Sequence, residues 1–115
     1  MTIFTKTSIV ALAAMLLTAC GTPRPNLYQW EGYQVQVYER FTNKSSPEAQ
    51  IEQLEKGLNI ANSKNAQVPP GYHAHLGMLY AEIGKMDQMV QQFKTEKTLY
   101  PESAQYMDFL LRNVK

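Results

Sequence analysis

The run from Pro69 to Ser103, PPGYHAHLGMLYAEIGKMDQMVQQFKTEKTLYPES, leaves a folded chain few choices besides two helices turned back on each other. Leu76 and Tyr80 are four residues apart and so share one helical face. Gly77 sits beside them, and glycine inside a helix costs about 1 kcal/mol in propensity. That cost points to a place where a second helix must come close. Gly84-Lys85 suits a left-handed end to the first helix. Met86, Met89, Val90 and Phe93 then recur at helical spacing and form the apolar face that packs back. Pro101 has no N–H for a continuing helix, and Pro101-Glu102 opens a new first turn. The spacing predicts a helical hairpin.

The same residues resemble the tetratricopeptide pattern, W-x2-L-G-x2-Y, then A-x3-F, then P, over roughly 34 residues. Here it reads His73-x2-Leu76-Gly77-x2-Tyr80, then Met89-x3-Phe93, then Pro101. His73 stands where tryptophan is usual, and Met89 where alanine is usual. The resemblance implies a fold and leaves chemistry open, because no residue in the pattern is catalytic by type.

The N-terminus has a different character. Residues 1–19 read as a secretory signal: Lys6 near the start, an apolar stretch from Ile9 to Leu17, then small residues. The stretch is far below the roughly 20 residues that cross a bilayer as a helix. The chain's single cysteine closes it in Leu17-Thr18-Ala19-Cys20, which resembles the lipobox of bacterial lipoproteins. The resemblance implies diacylglyceryl transfer to the Cys20 thiol, cleavage before it and acylation of the new amine. Each buried methylene contributes about 0.8 kcal/mol, so three acyl chains would anchor the protein durably. Gly21 follows the cysteine in place of the aspartate that commonly retains lipoproteins at the inner membrane. Outer-membrane anchoring facing the periplasm is the expectation.

Composition excludes more than it suggests. Loss of Lys6 with the signal leaves ten Lys and Arg against ten Asp and Glu. No basic patch points to nucleic acid. The span 20–26, with Pro23 and Pro25, reads as a short, stiff, lipidated tether. Residues 27–115 read as one all-α domain: a short tetratricopeptide-like array of about five helices, two pairs plus a capping helix with a charged outer side. The first helix is placed over Leu27–Phe41, although Val35 and Val37 also fit a strand. Helix is preferred because an isolated strand would find no partner. The second helix starts at Ser46-Pro47-Glu48, and Ile51, Leu54, Leu58 and Ala61 form its apolar face. Trp30 to His73 spans 43 residues, so the first pair is not a clean repeat of the second.

Three stretches together look like the DUF4810 family of small bacterial lipoproteins. They are Leu27-Tyr28-Gln29-Trp30 with Tyr33, Pro69 to Gly77, and Glu96-Lys97 with Tyr100-Pro101-Glu102-Ser103 followed by Met107-Asp108. Here Glu31 intervenes before Gly32, where the family often places glycine directly after the tryptophan. The resemblance implies no assigned chemistry. It implies genes neighbouring those of a lipoprotein like the curli secretion channel and of a second small lipoprotein, hence a part in an outer-membrane assembly.

Candidate sites follow from these readings. His73 and His75 are two apart on a helix, point apart and cannot grip one ion, so they read as helix-start and packing residues. No metal, cofactor or catalytic set is expected. Ala74, Met78 and Ala81 form a stripe distinct from the Leu76–Tyr80 face, either a small apolar groove for a protein partner or a packing surface. Tyr28, Trp30 and Tyr33 are either core or an aromatic platform for a glycan or other non-protein ligand. Two functions therefore stand side by side, a lipid-anchored interaction module and a periplasmic ligand binder. Cys20→Ser should block lipidation and cleavage, leaving a larger precursor that takes up no labelled palmitate. A variant that still matures and labels would sink the lipobox reading.

Overall fold

The computed structural model describes residues 2–4, 6, 8–9, 21 and 25–114. Cys20 lies outside the described residues, as do most of the expected leader and tether. Between residues 25 and 114 the fold is all-α. Its helices are α1 (Tyr33–Thr42), α2 (Pro47–Ser63), α3 (Tyr72–Glu82), α4 (Met86–Leu99) and α5 (Ala104–Asn113). A single 3-10 turn over Pro101–Ser103 leads into α5. Successive helices pack on one another, and α3 against α4 is the most extensive pairing.

Local chemistry sets most of the ends. The Ser46 side chain accepts the Ala49 N–H at 3.2 Å, with Pro47 at the first position of α2. Gly84, at φ +77°, ends α3 with paired bonds: its N–H donates to Ala81 O and the Lys85 N–H to Tyr80 O. Asn65 ends α2 in the same manner at φ +49°.

The core runs along the facing sides of α2, α3 and α4: Ile51, Leu54, Ala61, Leu76, Leu79, Tyr80, Met89 and Phe93, closed by Met107 of α5. Two glycines let side chains enter it. A Cβ on Gly77 would stand 2.6 Å from Phe93 Cε1 and 3.2 Å from Gln92 Cβ, so α3 and α4 approach closely here. A Cβ on Gly57 would stand 2.3 Å from the Tyr72 hydroxyl. That hydroxyl donates to Leu54 O at 2.7 Å and ties α3 to α2.

The structure differs from the sequence expectation at both ends of the array. The first helix begins at Tyr33, not Leu27, because the preceding segment does find a partner. Tyr28 forms a parallel bridge with Gln67, and the Gln29 N–H donates to Gln67 O at 2.8 Å. Gly32, at φ +79°, then turns the chain into α1. At the other end, α5 presents aromatic Tyr106 and Phe109 outward, where a charged cap face was expected. Its acid Asp108 is turned back to an ion pair with Lys97 of α4.

The close approach at Gly77 is testable. Overpacking a helix crossing costs about 1–3 kcal/mol. Gly77→Leu should therefore lower the melting temperature of the chain starting at Gly21 by several degrees. Lys85→Ala, at an exposed position, should barely change it. Equal melting of the two variants would remove the close-packing account.

Candidate functional site

An apolar recess lies between α1 and α3. It is a hollow of about 400 Å³. Tyr33, Val37 and Phe41 of α1 form one wall, and Ala74 and Met78 of α3 form the other. The hollow exists because α3 offers small side chains there. Gly71 and Ala74 leave space that larger residues would fill, while Leu76, Leu79 and Tyr80 point the other way into the core.

The α3 end of the hollow is fixed by a long-range cap. Gly71 has no side chain to satisfy the first N–H groups of α3. Glu96 of α4 does so instead. Its Oε1 accepts the Gly71 N–H at 2.6 Å and its Oε2 accepts the Ala74 N–H at 3.3 Å. Glu96 is 1 % exposed, so the carboxylate sits in the interior against the positive end of the helix. The opposite rim is an ion pair, Arg40 to Glu82 at 2.6 Å, joining α1 to the end of α3.

His75 supplies the polar feature of the hollow. The residue is buried and lines the recess, and its Nε2 has no hydrogen-bond partner. Burial above all, with Arg40 adding and Glu82 opposing, lowers its pKa to about 4. The imidazole is therefore neutral near pH 7, and its buried Nε2 is left unpaired beside the hollow. His73 plays a different part: its Nδ1 donates to Gln92 Oε1 at 2.6 Å and holds α3 to α4.

The aromatic residues form a chain rather than an open platform. Tyr100 packs edge-on against Tyr28 at 6.2 Å, and Tyr28 edge-on against Trp30 at 6.3 Å. Trp30 meets Tyr33 at 6.3 Å, and Tyr33 meets Tyr72 at 4.7 Å. Burial raises the Tyr33 and Tyr72 hydroxyl pKa values, the latter to about 12, so both stay protonated. Trp30 keeps 43 % of its surface exposed.

Of the residues singled out from sequence, the structure brings Ala74, Met78 and Tyr33 together in the hollow. Ala81 is half-buried against the core and does not line it. Tyr28 and Trp30 lie outside it, in the aromatic chain. His75 and Arg40 were not foreseen as site residues. The residue types alone could not separate a lining histidine from a packing one. No group of three or more His, Cys, Asp or Glu is placed to hold a metal among the described residues. Nor is any described helix long and apolar enough to cross a membrane.

Comparison with known families settles the lineage. A family model described as a domain of unknown function, DUF4810, matches residues 27–110. The chain belongs to the DUF4810 family. The match takes in all of α1 to α4 and most of α5, so the hollow falls within the family domain. No curated protein and no solved structure matches this DUF4810 chain.

The depressed His75 pKa gives the domain a specific pH response. Below pH 6.5 the unfolded chain takes up a proton at His75 that the folded chain refuses until about pH 4. Stability therefore falls as pH drops through that window. His75→Gln should remove this share. The melting temperature of the variant should decline less between pH 7 and 4 than that of the parent. Parallel pH profiles would show that His75 is not held neutral.

Proposed function

We propose that this DUF4810 domain is a non-catalytic interaction module. Acylated Cys20 holds it to the outer membrane, facing the periplasm, and the hollow between α1 and α3 receives an apolar element of a protein partner. The observation that carries the reading is that hollow. It is apolar on both walls and has an ion-paired rim. Such a site suits an apolar side chain of a partner. Met78 supplies a flexible, polarisable wall that adapts to the side chain it receives. Burying one large apolar side chain contributes about 1.5–3 kcal/mol. Specific recognition therefore also draws on the surrounding surface. The family resemblance favours a partner within an outer-membrane assembly containing a channel like that of curli secretion, in which this chain is an accessory subunit.

The reading as a binder of a glycan or another non-protein ligand has less to stand on. Tyr33 packs at a tilt against Tyr72, and Tyr28 is held edge-on between Trp30 and Tyr100. Trp30 is left as a single open ring, which makes a narrow platform for a sugar.

Met78→Lys tests the proposal, because Met78 is half-buried and its replacement can point outward. The acylated variant, purified from membranes after mild cross-linking, should lose proteins captured by the parent. Its circular dichroism and melting should stay unchanged. A variant that unfolds, or that keeps every captured protein, would return Met78 to the core.

A further inference from the structure

A helical array needs polar faces on its two terminal elements, because nothing further packs there. This domain has the reverse. In α1 the polar Gln36 is buried, while Val35, Tyr38 and Phe41 are 55, 55 and 82 % exposed. Their three-residue spacing places them on one outward face. In α5, Tyr106 and Phe109 are also spaced by three, are 56 and 53 % exposed, and stack with ring centroids 6.4 Å apart. Each helix packs mainly on its neighbours in sequence, so α1 and α5 are the two ends of the array.

We propose that copies of this chain stack head to tail, the outer face of α1 in one copy covering the outer face of α5 in the next. Three observations favour a second copy as the occupant. First, both ends are aromatic, and a single kind of contact between copies accounts for the two together. A heterologous stack covers both at once, whereas an α1-to-α1 dimer leaves α5 bare. Second, one end offers a recess and the other a projecting ring. A hollow of about 400 Å³ lies beside Tyr106 and Phe109, bounded by Glu102, Gln105 and Arg112, and Phe41 is the most projecting side chain of α1. Third, the charges match. Glu39 and Lys44 flank the α1 face, with Lys44 Nζ 5.0 Å from the Tyr38 ring centroid. Glu102 and Arg112 flank the α5 face, so each rim brings one acid and one base. Opposite pairs can meet across the contact without uncompensated like charge. The face shares Phe41 with the wall of the α1–α3 hollow and extends past it through Val35 and Tyr38, which do not line that hollow, so a contact at Tyr38 reads this inference separately from the proposed partner site.

Photo-cross-linking in bacterial cells tests it with the full chain. One tagged copy carries p-benzoyl-phenylalanine in place of Tyr38, and a second copy carries a different tag. After irradiation, adducts should map to residues 102–113 of the second copy. Phe109→Glu in that copy should reduce the adduct about ten-fold, as loss of about 1.4 kcal/mol would. Tyr106→Lys serves as an independent second variant. Adducts found only on lipid or on another protein would overturn the proposal. So would adducts at residues 33–42 of the second copy, or no adduct at all.

Discussion

The arrangement of this domain depends on one buried carboxylate. Glu96 reaches from α4 across 25 residues of sequence to the Gly71 N–H and on to that of Ala74. The start of α3 follows Pro69-Pro70-Gly71, which supplies no capping side chain of its own. Without Glu96, two N–H groups would lose their acceptor in a part-buried site, each at about 1–3 kcal/mol. The same contact fixes how α3 lies against α4. It thereby sets the Gly77–Phe93 crossing on one side and the floor of the hollow on the other.

Tyrosine hydroxyls extend that arrangement to the rest of the array. Tyr72 donates to Leu54 O, Tyr80 to Glu55 and Tyr100 to Val68 O. The first two fasten α3 to α2, and the third fastens the end of α4 to the loop after α2. Each hydroxyl lies at the end of an otherwise buried ring, so its apolar body packs in the core while its polar end is satisfied. Burial raises all three pKa values, and the Glu55 contact raises that of Tyr80 further. They therefore remain donors at neutral pH.

By contrast, α1 is held lightly. It joins through Tyr33, the Arg40–Glu82 pair and a polar seam in which Gln36 and Gln50 are buried with their Oε1 atoms unpaired. An element with few apolar contacts opens more readily than the core. One wall of the hollow and one of the two proposed stacking faces lie on this helix, where local adjustment costs the domain least.

The sequence by itself determined the helices and most of their ends. Those features come from residues within a turn or two of one another: the Leu76–Tyr80 stripe, the Ser46 cap, the Gly84 stop, Pro101. It also marked Gly77 as a close approach, because a glycine inside a good helix needs a reason, and it carried the resemblance to the family that the domain proved to belong to. Only the tertiary structure decided that Leu27–Glu31 would bridge to Gln67 instead of extending α1. It alone turned Gln36 inward and Tyr38 outward, placed His75 against Arg40, and made Glu96 the cap of a distant helix. These outcomes rest on pairs roughly 20 to 40 residues apart. Helical periodicity repeats over a few residues and is blind to them, since it says that a helix has two faces and leaves the choice of buried face to the neighbour that packs there.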